Sequence, residues 1–141
     1  MACLRFDTDR FDISSTVPEE YNAGNRFHGK DVAEFLAASL RRSGWATHAY
    51  DEDWGWAVSG GRDEAHTVEI AVYNLADHGE GGRPGAPAWG LWIRAHERSR
   101  RLGFLPRTTE VAAPSELIEA VTEALAGEGI SVRPWSDGPE A

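Results

Sequence analysis

The stretch DVAEFLAASLRRSGWATHAY, residues 31–50, passes from a helical to an extended pattern within a few positions. Val32, Phe35, Leu36 and Leu40 recur at i, i+3, i+4 and i+8, which gathers them on one face of a helix over residues 31–42. Asp31 followed three residues later by Glu34 is a variant of the capping box, so Asp31 is expected to cap that helix. Arg41 and Arg42 fall in the last turn, where the helix dipole favours cations, and Gly44 supplies an exit. From Trp45 the composition turns to Trp, Thr and Tyr, which suit a pleated surface.

The same reading extends outward in both directions. Upstream, Leu4 and Phe6, then Phe11 and Ile13, alternate with polar residues and predict one strand or two short ones, followed by a polar loop over 14–25. Downstream, Trp54, Trp56 and Val58 alternate with Gly55 and Ala57. A hairpin turn is expected over 59–63, and Val68, Ile70 and Val72 share one face of the next strand. Residues 76–87 form a Gly/Pro-rich loop that can bury no core. Trp89, Leu91, Ile93 and Ala95 then face one way, with Trp92 and Arg94 facing the other. A second helix over 114–126 carries Leu117, Ile118, Val121 and Leu125 as its stripe and ends at Gly127, with a short strand expected at Ile130 and Val132. Two helices separated by consecutive strands give an α+β fold, an antiparallel sheet of about 4–6 strands with both helices on one face. The reading is one domain over residues 1–134 and a fraying polar tail over 135–141.

Composition limits the function classes. The chain has 141 residues, of which 41 % are hydrophobic, enough for one core. No apolar run reaches the ~18 residues needed to span a bilayer. A membrane is therefore not an expected partner, and the net charge of −9, which opposes binding to phosphate backbones, makes nucleic acid an unexpected one. A lone Cys3 fits a reducing compartment, and the expectation is a cytoplasmic protein. The one basic cluster, Arg94, Arg98, Arg100, Arg101 and Arg107, reads as a solvated Arg-rich turn, with an anion-binding or partner-docking patch as the alternative.

Chemistry-bearing motifs are few. The five histidines show no H-x-x-x-H or H-E-x-x-H spacing, so no metal site is expected, and no phosphate loop, nucleophile elbow or dinucleotide loop is present to imply catalysis or a cofactor. What stands out is Asp51-Glu52-Asp53-Trp54-Gly55-Trp56, three carboxylates running into a Trp-Gly-Trp. Its plain reading is a polar turn entering a strand whose indoles pack into the core; its functional reading is an acidic, aromatic binding surface. A second candidate is the loop ahead of the first helix, where Asn25, Arg26 and His28 could help backbone N–H groups hold an anion. Six tryptophans add hot-spot material, and Trp92, opposite Leu91 and Ile93, is a candidate exposed aromatic.

Gly29, Asp31, Ala33, Phe35, Leu36, Leu40 and Gly44, followed by Glu52-Asp53-Trp54-Gly55-Trp56, resemble a pattern in small bacterial proteins that pair a capped helix with an E-D-W-G-W strand entry. The resemblance covers residues 25–58 and implies no activity. In size and acidity the chain is similar in type to toxin-neutralising immunity proteins. The first expectation is therefore a non-catalytic protein, an acidic inhibitor or immunity-type protein that docks a basic protein partner through Glu52, Asp53, Trp54, Trp56 and Trp92. The alternatives are a small enzyme or ligand-binding domain using residues 22–28 with Glu52 and Asp53, and a structural subunit that forms a homo-oligomer.

Overall fold

The computed structural model describes residues 2–11, 29–52, 55–75, 86–100, 106–136 and 138–139. Along the chain these form β1 (Ala2–Asp7), α1 (Lys30–Arg42), β2 (Ala46–Glu52), β3 (Gly55–Gly61), β4 (His66–Asn74), β5 (Ala88–Arg100), β6 (Pro106–Val111), α2 (Ser115–Ala126) and β7 (Arg133–Pro134). Every pairing is antiparallel, in the order β2-β3-β4-β5-β1-β7. The long β5 gives its first half, from Ala88 to Ile93, to β1 and its second half, from Ala95 to Arg100, to β6. The fold is α+β: an antiparallel sheet of seven strands among the described residues, with both helices packed against it.

Alternation decides which face the helices cover. Val58, Val68, Ile70, Trp89, Leu91 and Ile93 point to one side and are at most 3 % exposed. Leu36 and Leu40 of α1 and Leu117, Val121 and Leu125 of α2 close the same core. Phe35 is half-buried against it, and Phe11 packs edgewise between Phe6 and Trp89. Thr47 on β2 donates its hydroxyl to the Ala37 carbonyl at 3.0 Å, a buried bond that ties α1 to the strand following it. No helix among the described residues is long and apolar enough to cross a bilayer.

Four local expectations are corrected. The first helix starts one residue early, with Gly29 rather than Asp31 in the capping position and no side-chain cap. Gly29 has φ 144°, and a Cβ there would meet Val72 Cγ1 at 3.1 Å, so the close approach of β4 sets the start. Asp31 falls in the first turn, where its carboxylate accepts from the Val32 N–H at 3.0 Å. The expected turn at 59–63 is still strand through Gly61, because Ser59, Gly60 and Gly61 pair with both β2 and β4; the reversal falls at residues 62–65.

Of the basic cluster, Arg94, Arg98 and Arg100 lie on β5 and Arg107 on β6, and Arg94 Nε reaches Glu110 Oε1 at 3.0 Å; Arg101 lies outside the described residues. Trp135, placed by the sequence in a fraying tail, is 8 % exposed on the face away from the helices. Its N–H bonds the Cys3 carbonyl at 2.9 Å, and its ring lies so close over Gly90 that a Cβ would come within 2.6 Å. The short C-terminal strand is at Arg133–Pro134 rather than at Ile130 and Val132. Most of the Gly/Pro loop lies outside the described residues.

Leu36 is fully buried between helix and sheet, so Leu36→Ala should cost roughly 2–5 kcal/mol through lost transfer energy plus a cavity. The measurement is the urea-unfolding free energy. A loss below about half a kcal/mol would contradict this packing.

Candidate functional site

Strand alternation that buries one set of residues under the helices sends the other set to the opposite face. Register aligns Tyr50 of β2, Ala57 of β3, Ala71 of β4, Trp92 of β5 and Cys3 of β1 in one row across that face. Small residues in the middle of the row are flanked by half-buried aromatics, with Tyr73 one position on. Glu52 follows Tyr50 on the same side of β2, and Glu69 precedes Ala71 on the same side of β4. At the β1 end, Trp135 packs 5.5 Å from Tyr73 with Leu75 and Ala88.

The electrostatics of this face centre on Tyr50. Its hydroxyl donates to the Glu69 carboxylate, reaching across β3. Burial first, then the charges of Glu69 and Glu52, push its pKa up to about 12. Ionising Tyr50 would place a third negative charge between two carboxylates and break the bond to Glu69. Tyr73 is also raised, by burial first and then by Cys3 and Glu69, with Arg94 opposing. Arg94 lies 4.6 Å from the Trp92 ring centroid while holding Glu110, so one indole face already receives a guanidinium. His48 sits 6.0 Å from Tyr50 at the other end of the strip.

The structure separates the sequence-derived candidates. Glu52 and Trp92 share the helix-free face, both half-buried. Trp56 does not join them: it points to the helix side, 7 % exposed, in the core cluster. Asp53, Trp54, Asn25, Arg26 and His28 lie outside the described residues. Tyr50 and Glu69 were not singled out from sequence, and Arg94 only as a member of the basic cluster. The period-two spacing from Tyr50 to Glu52 held that signal for one of them; the approach of Glu69 from β4 needed the register.

The geometry bears on two other chemistries. No group of three or more His, Cys, Asp or Glu that could hold a metal ion occurs among the described residues. A cavity of about 240 Å³ lies between Trp45, His66, Val111, Pro114 and Glu116. That is below the roughly 300–1,000 Å³ of small-molecule pockets. Its rim groups also engage one another. Arg62 stacks 4.1 Å from the Trp45 ring and pairs with Glu116, and His66 Nδ1 lies 2.9 Å from Asp63 Oδ1, whose carboxyl the hydrogen bond from His66 holds below its usual range. No family model matches the chain, and comparison with curated proteins and with solved structures gives no match to it.

The raised pKa of Tyr50 has a signed consequence. The neutral hydroxyl is the favoured form in the folded state, so its contribution to stability is complete below pH ~10 and is lost as pH rises toward about 12. Unfolding free energy should therefore fall between pH 10 and 12, and Tyr50→Phe should flatten that fall. Tyrosinate absorbance should show the titration near pH 12 disappearing in the same variant. If that step survives in Tyr50→Phe, the assignment to Tyr50 is wrong.

Proposed function

We propose that this chain is a non-catalytic binding protein, of the inhibitor or immunity type, which docks a basic protein partner on the helix-free face of its sheet. The observation that carries this reading is the Tyr50 hydroxyl held between Glu69 and Glu52 on the same strip as Trp92. Two carboxylates beside aromatic surface suit a Lys or Arg side chain, which can pair with an acid while laying its stem or guanidinium along a ring. The net charge of −9 adds long-range attraction for such a partner. Asp53 and Trp54, which follow Glu52 in the chain, extend the same acidic and aromatic chemistry. The lone Cys3, outside any disulfide, fits action in the cytoplasm.

Charge complementarity acts mainly on association, and buried aromatics on dissociation. Once a partner is identified by co-purification and mass spectrometry, surface-plasmon kinetics test the division. Raising salt from about 50 to about 500 mM should slow association, since the Debye length falls well below ~10 Å. Glu52→Gln with Glu69→Gln should lower the association rate while leaving the fold intact. Trp92→Ala should raise the dissociation rate at least ~10-fold, about 1.4 kcal/mol. A partner that binds both variants as tightly as the parent chain rules out this face as the docking site.

A further inference from the structure

Among the described residues β2 pairs on one side only, with β3, and so forms an edge of the sheet. Its backbone groups alternate between the two sides. The Ala46 carbonyl is turned toward Gly60 of β3, whereas the Thr47 carbonyl accepts a bond from Arg41 Nη1 of α1 at 2.7 Å. Ala49 and Asp51 share the phase of Thr47, so their N–H and C=O groups point away from β3, and no described strand pairs with them there. Arg41 thus closes one end of this edge and leaves the other open.

The open end is acidic on both faces of the sheet. Thr47 bonds Ala37 and Arg41 bonds Thr47, so α1 runs opposite to β2 and Glu34, about one turn before Ala37, comes level with Ala49. Glu34, Ala37, Ala38 and Ala49 line one groove there. Asp51 is exposed and lies on the same, helix side of the strand. On the other side Glu52 lies beside Tyr50, whose hydroxyl engages Glu69. Lys30 approaches Glu34 only to 4.0 Å in an exposed pair, too weak to withhold that acid from another cation.

From this we infer that the partner contributes an extended, basic segment that adds to the sheet as a strand beside β2. The inference rests on the proposed reading of the helix-free face and names the form in which the partner meets it. The backbone of the added strand bonds the outward N–H and C=O groups of Ala49 and Asp51. Its side chains alternate. Lys or Arg of one phase reaches Glu52 and the Tyr50–Glu69 pair, and Lys or Arg of the other reaches Asp51 and Glu34. The small side chains of Ala38 and Ala49 leave room for the stems of the second set. Backbone bonds would accept any extended sequence, and the acids on both faces select a basic one. The same acids disfavour a second copy of this chain on the edge, because like charges would then be brought together.

The probe is an end-blocked peptide of alternating Lys and Val, titrated to several millimolar into the isotope-labelled full chain and followed by amide NMR, with circular dichroism to check folding. The amides of Ala49 and Asp51 should shift and, at saturation, exchange ~10-fold more slowly with solvent. The same peptide with every backbone nitrogen methylated should leave them unmoved, as should one with Glu in place of each Lys. Glu52→Gln with Glu69→Gln, and Glu34→Gln with Asp51→Asn, should each weaken binding several-fold. Ala49→Pro should abolish it in a folded chain, since that N–H takes no part in the β2–β3 ladder; if that variant does not fold, the methylated peptide decides. Unmoved Ala49 and Asp51 amides overturn the proposal, and so does an edge that takes the Glu peptide equally well. Shifts confined to Tyr50, Glu52, Glu69 and Trp92 and kept by the methylated peptide overturn the added strand while leaving the helix-free face as the docking site. Pairing at Ala49 and Asp51 that ignores Glu52→Gln with Glu69→Gln upholds the added strand and overturns that face.

Discussion

Thirteen residues of β5 form the spine on which the rest of the sheet is hung. One side of that strand pairs with β4 over nine residues; the other is divided between β1 and β6, which follow one another along it. Ala88 to Arg100 must therefore satisfy three neighbours at once while alternating between two environments. Trp89, Leu91, Ile93 and Ala95 go under the helices, and Gly90, Trp92 and Arg94 go to the other face. A slip of one residue would exchange the two sets, exposing a fully buried Trp89 and pushing Arg94 into an apolar core. Such a slip is costly enough to fix the register, and the register in turn fixes both the core and the row from Tyr50 to Cys3.

How much of this was legible in sequence follows from the kind of signal each element carries. Both helices and the faces of β4 and β5 were readable because each has a full apolar stripe at one period. The strand β6 was not, since Arg107, Thr108, Thr109 and Glu110 are all exposed and carry no alternation; its place comes from pairing with β5 and from the Arg94–Glu110 bridge. The start of α1 was misplaced because a capping motif is a local signal, whereas the contact of Gly29 with Val72 is tertiary. Trp135 was misjudged for the same reason: its polar neighbours hide the fact that Gly90, forty-five residues earlier, leaves a space of its shape.

The candidate surface divides along the same line. Glu52 stood out by its place in an acidic run, and Trp92 by alternation. Trp56, equally prominent in composition, proves to be a core residue, which its period-two relation to Val58 allowed and its composition did not decide. Tyr50 and Glu69 are far apart in sequence and on strands separated by β3, so nothing short of the register could bring them together. Polar contacts across a sheet are set by pairing, while hydrophobic faces are set by period, and only period is written locally in a sequence.

The alternation of β2 explains how seven residues can serve two environments. His48, Tyr50 and Glu52 project to the helix-free face; Thr47, Ala49 and Asp51 project to the helix side and direct their backbone groups outward. The second set faces α1, and Thr47 holds it through the bond to Ala37, so the packing of β2 does not call on the acidic and aromatic groups of the first. Changing Glu52 therefore alters the charge of the helix-free face without loosening the core, which makes the fold and the proposed surface separable.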